Sequence, residues 1–338
     1  MAASRGIGMK SIAFVAHDSG SYDVLCPVYE TMRDRAIFLT VGPSAGKHPD
    51  YLTEDWERSL QQLADEKGLV GVVMGRDWGT DINVRLLAWS RERHVKTVVI
   101  LDYWSNYASS FVEQGVSYWP DAYLVMDELA RQEAVAEGVP PDILRIVGQP
   151  GLDKFCVQSW CDCSADRDVL FLSQPLSLLY GNGLGYTEQE VLADVVKACE
   201  ECGRKLDVKF HPKDELFFRQ QYQDISVDGD VDELMRHYRL VMGMSTMALL
   251  HAALMGVPIV SYQPNITGKD GCITNRLGLS RCLKNYKGLL TVLSDAVAWQ
   301  PMTVSEAETL LWLDGKSTQR AVKAVEETVE SCEGCQPI

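Results

Sequence analysis

The stretch Leu240-Val241-Met242-Gly243-Met244-Ser245-Thr246-Met247-Ala248-Leu249-Leu250-His251-Ala252-Ala253-Leu254-Met255-Gly256-Val257-Pro258-Ile259-Val260-Ser261-Tyr262 reads as one complete strand–helix–strand unit. Leu240–Met242 is a short apolar strand, Met247–Met255 an apolar helix, and Pro258–Tyr262 a second strand. A short strand, a crossover helix and another short strand is the building block of a parallel sheet. Gly243, Ser245 and Thr246 lead straight into the helix. A helix N-terminus offers unpaired N–H groups and the positive end of the helix dipole, so this entrance suits a phosphate. About thirty residues upstream, Val208-Lys209-Phe210-His211-Pro212-Lys213 is a second buried strand that stops in polar, anion-friendly chemistry. His211 and Lys213 can serve the same anion. Together the two stretches point to the phosphate of a nucleotide.

Working outward, the alternation continues in both directions. Ser11–Ala16, Ala36–Val41, Leu69–Met74, Thr97–Leu101, Ala122–Met126 and Leu144–Val147 read as strands. Thr53–Lys67, Asp81–Arg93 and Asp127–Glu137 have helical spacing between them. Phe155–Asp168 mixes Cys, Trp, Ser and Asp without periodicity and reads as a linker. The alternation then restarts with the strand Val169–Ser173, the helix Glu188–Glu201, the strand Leu206–Phe210 and the helix Val231–Tyr238. Val304–Leu313 and Ser317–Ser331 read as C-terminal helices. The organisation expected is a first doubly wound domain over 1–155, a linker over 156–168, a second over 169–316, and a C-terminal helix and tail over 317–338. Ligands of such sheets bind beyond the carboxyl ends of the strands, so two facing halves would make a cleft.

Length, composition and charge fit this picture. The 338 residues suffice for two domains, and 46% hydrophobic with 23% charged residues describes a globular chain with a sizeable core. A net charge of -15 argues against nucleic acid as a partner and against adhesion to anionic membranes. No apolar run approaches the ~20 residues of a membrane span, and no secretory apolar segment opens the chain. The expected location is the cytoplasm, with peripheral attachment at the inner face of the membrane as an alternative. Residues 1–10 read as a disordered lead, and a start at Met9 stays open. Of ten cysteines, Cys199 and Cys202, Cys332 and Cys335, and Cys161 and Cys163 form close pairs. Their separation does not match a zinc ribbon and no histidines flank them, so they read as reduced thiols, with a structural metal as the alternative.

Chemistry is expected at the strand ends. Asp18, Ser19 and Gly20 follow the first strand, Asp77 and Trp78 the third, and Asp102 the fourth. A carboxylate at such an edge can act as a general base, or it can cap the next helix. For Asp18 and Asp77 both readings stand. Asp102 is flanked by Tyr103, Trp104 and Tyr107, which read as a binding wall. In the second half, Ser173 and Gln174 end a strand beside the phosphate stretch. Two motifs fail. Gly42-Pro43-Ser44-Ala45-Gly46-Lys47-His48 is one residue short of a P-loop and ends in His. Gly181, Gly183 and Gly185 lack the spacing of the dinucleotide fingerprint and read as a mobile loop over the cleft. His48-Pro49 follows no apolar strand and reads as loop.

From Ser11 to about Leu313, the order of these landmarks resembles a glycosyltransferase of the GT-B fold. They include Asp77 after Met74, the segment Leu101–Tyr107, Gly138–Asp153, His211-Pro212 and the Ser245-Thr246 helix start. Within that class the chain is similar to bacterial surface-carbohydrate enzymes and, more distantly, to the non-hydrolysing nucleotide-sugar 2-epimerases. The resemblance implies an α/β fold of two doubly wound Rossmann-like domains. His-Pro followed by a Ser/Thr motif is similar to the pair that holds the cytidine phosphate in bacterial sialyltransferases, with an acidic residue of the first domain as base.

The resemblance therefore implies a nucleotide-sugar donor, with a nonulosonic or sialic-type acid carried on CMP as its specific form, and a glycan, lipid-linked or protein acceptor. It assigns the phosphate to His211, Pro212, Lys213, Gly243, Ser245, Thr246, Ser173 and Gln174. Asp102 would be the base, with Asp18 in reserve, and Ser19, Gly20, Asp77, Trp78, Tyr103 and Trp104 would line the acceptor or sugar. No metal ligand set and no cofactor is expected, and the oligomeric state stays open. Two departures matter. Asp102 is followed by Tyr103-Trp104 where sialyltransferases have a second acid and a glycine. The epimerases' paired glutamate is missing from Met247–His251. The alternatives carried are a nucleotide-sugar epimerase or hydrolase and a non-catalytic nucleotide-sugar-binding protein.

Overall fold

A computed structural model describes residues 11–48, 55–157, 165–301 and 311–330. The chain divides into two compact units, Met1–Cys156 with Thr309–Ile338, and Val157–Glu308.

The first unit begins with β1 (Ser11–Ala16), α1 (Ser19–Met32), β2 (Ala36–Thr40), α2 (Trp56–Lys67), β3 (Leu69–Gly75), α3 (Ile82–Glu92) and β4 (Lys96–Ile100). It continues with β5 (Val112–Glu113), β6 (Val116–Ser117), β7 (Ala122–Val125), α4 (Glu128–Ala136), β8 (Leu144–Ile146) and α5 (Asp153–Val157). Six strands form one sheet in the order β2-β1-β3-β4-β7-β8, and every neighbouring pair is parallel. Its strands are nearly continuous runs of buried apolar residues, as a parallel sheet covered on both faces requires. The chain winds from β1 out to β2 and then returns to β3 on the other side. The reversal therefore lies between β1 and β3, where such sheets open a crevice at their carboxyl ends.

The second unit holds β9 (Arg167–Leu172), α6 (Leu176–Tyr180), α7 (Glu188–Glu201), β10 (Leu206–Lys209), α8 (Leu216–Gln221) and α9 (Val231–Met235). β11 (Tyr238–Gly243), α10 (Met247–Leu254), β12 (Ile259–Tyr262), α11 (Ile273–Arg276), β13 (Arg281–Leu283) and α12 (Tyr286–Ser294) follow. The sheet order is β10-β9-β11-β12-β13, again parallel, with the reversal between β9 and β11. Val191, Leu192 and Val195 of α7 pack with Phe171, Val208 and Met242 of the sheet. Thr187 and Glu190 close a full capping box at the start of α7.

The last helix, α13 (Ser317–Glu330), belongs to the first unit. Asp153 accepts from Ser317 N–H at 3.1 Å and Thr318 N–H at 2.7 Å, and Arg320 Nε donates to the Val147 carbonyl at 2.8 Å. Ala321, Val325 and Val329 then join Val24, Leu25 and Val28 of α1 in one core.

Several elements differ from the sequence reading. The helix expected over Val231–Tyr238 stops at Met235, because Tyr238 already pairs with Arg167 as the first residue of β11. α1 carries Pro27 in its interior, which hides it from a propensity reading. The Gly181–Gly185 loop is pinned, since Thr267 N–H donates to the Leu184 carbonyl and Thr267 Oγ1 to the Gly183 carbonyl, both at 2.9 Å. The helix expected at Val304–Leu313 lies mostly outside the described residues, and its described end, Leu311–Leu313, is not helical. Cys161, Cys163, Cys332, Cys335, Pro49, most of the linker and the 1–10 lead also lie outside the described residues. Cys199 and Cys202 are free thiols, and burial pushes Cys199 up to about 12.

Candidate functional sites at the two sheet reversals

In the first unit, β1 delivers His17 and Asp18, β3 delivers Arg76 and Asp77, and β4 delivers Asp102 to the same carboxyl edge. The N-terminus of α1 meets them there. Ser21 Oγ donates to Asp77 Oδ1 at 2.5 Å, and Asp18 N–H donates to the same oxygen at 2.9 Å. Trp78 N–H donates to Asp18 Oδ2 at 3.0 Å, and His17 Nδ1 lies 3.1 Å from Asp18 Oδ1. The backbone around Asp77 is clamped as well. Asn83 Oδ1 accepts from Asp77 N–H and Asn83 Nδ2 donates to the Gly75 carbonyl, both at 2.8 Å, while Ser110 Oγ donates to the Asp77 carbonyl at 2.6 Å. Two glycines make the close approach possible. A Cβ on Gly75 would collide with Ser21, and a Cβ on Gly20 would collide with Asp102 Oδ2.

Electrostatics divides the two carboxyls. Asp77 is fully buried, and burial pushes it up to about 7, against the Ser21 and Asp18 hydrogen bonds that pull it down. Its second oxygen, Oδ2, has no partner. Asp102 is also raised by burial, but Arg76 opposes this through a 3.2 Å contact from Nη2 to Oδ1. Arg76 is only 5% exposed, and its Nε and Nη1 have no partner, so its positive charge is directed chiefly at Asp102. The Asp102 side chain is 16% exposed, whereas Asp77 is closed off. A substrate hydroxyl can therefore reach Asp102 and not Asp77.

Neither Asp18 nor Asp77 caps a helix through its side chain. Asp18 sits at the N-cap of α1 without a capping hydrogen bond, and the N-cap of α3 is Asp81. The aromatic wall shrinks. Trp104 and Tyr107 are each 1% exposed, and they are core residues that donate to Asp127 Oδ2 and Glu133 Oε2 at 2.8 Å. Tyr103 remains half-buried beside Asp102. Ser19, Gly20 and Trp78 stand at the same edge, half-buried.

No metal-ligand spacing is visible in the sequence, yet His17, Asp18 and Asp77 bring one donor atom each within 4.8 Å of one another. Their oxygens are largely committed to Trp78 N–H, Asp18 N–H and Ser21, and the α1 N-terminus is positive. This arrangement serves the hydrogen-bond network better than a cation.

In the second unit, β9 delivers Ser173 and Gln174, β10 delivers His211, and β11 delivers Gly243, Ser245 and Thr246. Gln174 Oε1 accepts from Ser245 N–H at 2.8 Å and so bridges the reversal. Thr246 Oγ1 accepts from Ala248 N–H at 3.3 Å, so this hydroxyl caps α10. After β10 the chain turns at once. Asp214 Oδ2 accepts from His211 N–H at 2.7 Å, and Asp214 N–H donates to the His211 carbonyl at 3.0 Å. Lys213 N–H donates to His211 Nδ1 at 3.1 Å, which places the proton of the neutral ring on Nε2 and makes Nε2 a donor. Pro212 is exposed and supplies the turn rather than a donor. Burial raises the Asp214 carboxyl. His211 N–H and the nearby Ser173 hydroxyl pull the other way, although Ser173 Oγ and Asp214 Oδ1 form no hydrogen bond.

The sequence reading passed over Arg76, Ser21, Asn83, Ser110 and Asp214. Arg76 carried a usable signal, because a cation beside an acid at the end of a buried parallel strand must be paired or functional. Ser21, Asn83 and Ser110 are polar residues in ordinary helical or loop positions, and nothing local marks them.

No family model matches the chain, and no curated protein matches it in sequence. Solved structures do match. UDP-GlcNAc 2-epimerase of Methanocaldococcus jannaschii, in complex with UDP-GlcNAc and UDP, superposes with a TM-score of 0.61 at 11% identity over 93% of this chain and 98% of its own. S. aureus MnaA with UDP reaches a TM-score of 0.66 at 13% identity over 97% and 99%. The wall teichoic acid polymerase TagF reaches 0.59 at 12% identity over 96% and 90%. At these identities the likeness is one of fold. The chain has the GT-B class of fold, an α/β architecture with two Rossmann-like parallel sheets.

Proposed function

We propose that this protein is a nucleotide-sugar-dependent glycosyltransferase that moves a sugar onto a hydroxyl acceptor in surface-glycan or glycoconjugate synthesis, inverting and without a metal ion. The observation that carries this reading is Asp102, a carboxylate 16% exposed at the carboxyl edge of the first sheet and paired with the nearly buried Arg76. Burial raises the Asp102 carboxyl, and Arg76 works against that rise in favour of the ionised form, the form that takes a proton from an acceptor hydroxyl. Asp18 is the weaker candidate, because its oxygens already engage His17 and Trp78 N–H.

The donor's phosphate is assigned to the second unit. His211 Nε2, Lys213, Ser245 and the α10 N-terminus offer donors, and a preorganised donor set stabilises charge on a leaving nucleotide. Protein groups then do what a metal does elsewhere, and turnover should persist in a chelator. A sialic-type sugar carried on CMP is the donor implied by His211-Pro212 followed by Ser245-Thr246. A thermal-shift series with CMP, UDP and GDP tests the base, since specific binding raises the melting temperature with the logarithm of ligand concentration. Stabilisation by none of the three would remove the donor assignment.

A second reading, a nucleotide-sugar epimerase or hydrolase, draws support from Asp77. A carboxyl pushed up to about 7 at the same strand edge as Asp102, whose own rise by burial Arg76 opposes, brings two carboxyls in different settings to one place. Its complete burial and the absence of glutamates in Met247–His251 weigh against it. Product analysis separates the two: a glycosylated acceptor for transfer, an isomerised or free sugar for the alternative.

A further inference from the structure

Beside the Asp77 strand end, the first unit contains a cavity of about 330 Å³. We infer that it binds the acceptor of the proposed transfer, a hydroxyl-rich sugar ring that is neutral or positively charged and carries no anionic group.

Size and lining select this ligand. The volume lies at the low end of ligand pockets, ~300–1,000 Å³, which fits one ring rather than an extended chain. Val84 and Val112 give an apolar patch that suits the C–H face of a sugar, and Val112 is 42% exposed. Thr80, Ser109 and Ser110 bring hydroxyls to the lining. The two titratable groups lining the cavity, Asp81 and Glu113, are both acids. Carboxylates accept hydrogen bonds from sugar hydroxyls or an ammonium, and repel a phosphate, sulfate or uronate. Arg85 approaches Asp81 at 3.7 Å but also pairs with Glu57, so this group of three stays net negative. Glu113 lies on the exposed β5–β6 hairpin. The cavity is tied to the strand-end site through Ser110, whose hydroxyl holds the Asp77 carbonyl. Gly79, at φ 71 and with open space where a Cβ would lie, keeps the lip clear.

The word acceptor rests on the transfer reading; the ligand class rests on the cavity alone. The test uses the full chain without donor. Binding of the methyl glycosides of glucose, glucosamine and glucuronic acid is measured by saturation-transfer NMR at low and high salt. Exposed charge pairs change affinity by about 1.5- to 5-fold each. Glucosamine should therefore bind several-fold tighter than glucuronic acid, and salt should narrow the gap. Glu113→Lys should bring glucosamine and glucuronic acid close to equal, and Ser109→Phe, which fills the cavity from an exposed position, should abolish all three signals.

Binding unchanged by Ser109→Phe, a glucuronic acid preference in the wild type, or no glycoside binding at all would overturn the proposal. In a transfer assay, acceptor KM indifferent to both variants would sink the pocket and leave the transfer reading standing. Glycoside binding as described, with no transfer to any acceptor, would do the reverse.

Discussion

At the reversal of the first sheet, between β1 and β3, the chain gathers charge; at the reversal of the second, between β9 and β11, it gathers hydroxyls and amides, with an imidazole at the end of the neighbouring β10. Arg76, Asp77 and Asp102 are packed around the α1 N-terminus, with Arg76 and Asp77 buried. Gln174, Ser245 and Thr246 meet at the entrance of α10, half-buried, and half-buried His211 stands at the same carboxyl edge, at the end of β10. The same topology thus makes two different sites. The first can hold a group in a chosen protonation state, because charges in a dry setting shift strongly. The second can receive an anion, because helix N–H groups, hydroxyls, an imidazole N–H and the Lys213 ammonium can all donate there.

The largest expected effect breaks the charged side of this comparison. Arg76→Met leaves Asp102 largely buried and unpaired, and should cost about 3–5 kcal/mol in urea unfolding. The double variant Arg76→Met/Asp102→Asn should recover a good part of that loss. If the double is no more stable than Arg76→Met alone, the two residues are not an ion pair in any energetic sense.

Catalysis gives the next contrast. Asp102→Asn should lower kcat by ~10²–10⁴-fold while donor affinity holds, because a base acts in the chemical step. His211→Ala should behave in the opposite way, weakening nucleotide binding by ~10-fold or more through loss of a hydrogen bond to a charged group. Calorimetry with the nucleotide and turnover at saturating donor read the two effects. Equal loss of affinity in both variants would erase the division of labour between the sites.

The charged site should also leave a signature in pH. Asp77 has its folded pKa raised to about 7 from an ordinary 3.8. The folded state prefers its protonated form, so that contribution is complete below pH ~4 and is lost as pH climbs toward and through 7. Asp77→Asn cannot titrate. Its melting temperature relative to wild type should therefore rise between pH 4 and 8, even if the amide starts lower because one of its N–H groups inherits the unpartnered Oδ2 position. A constant difference across that range would place Asp77 at an ordinary carboxyl pKa.

The legibility of the two sites differs for a physical reason. The second was readable because its residues are local. Ser245 and Thr246 precede their own helix, and His211 and Lys213 end their own strand, so order along the chain nearly equals order in space. The first was readable only in part. Asp18, Asp77 and Asp102 announce themselves as acids after apolar strands, but what tunes them comes from elsewhere. Ser21 reaches Asp77 across 56 positions and Arg76 reaches Asp102 across 26. Trp104 misled for a related reason. Next to Asp102 it looks like a ligand-stacking ring, yet its indole N–H finds Asp127 at the start of α4 and turns inward. The alternation of β and α fixed the class of fold with little ambiguity, whereas α1, with Pro27 inside, and the short β5–β6 hairpin lack a long periodic signal.

The smallest expected effect separates two neighbours within the second site. Thr246 Oγ1 already accepts the Ala248 N–H, so Thr246→Val should lower stability by about 1 kcal/mol, the usual loss of a cap, and change nucleotide affinity little. Ser245 stands one residue earlier, where its N–H is held by Gln174 and its side chain is not the cap of α10. Ser245→Ala should therefore spare the α10 cap and weaken nucleotide binding by a few-fold, the size of one neutral hydrogen bond of ~1 kcal/mol. Thermal melts and nucleotide titrations of the two single variants form a crossed pair. If both variants lose stability alone, the α10 entrance is a capped helix start and the phosphate sits elsewhere, nearer His211. If both lose affinity alone, the Thr246 cap is dispensable and its hydroxyl rotates to the ligand when one is present.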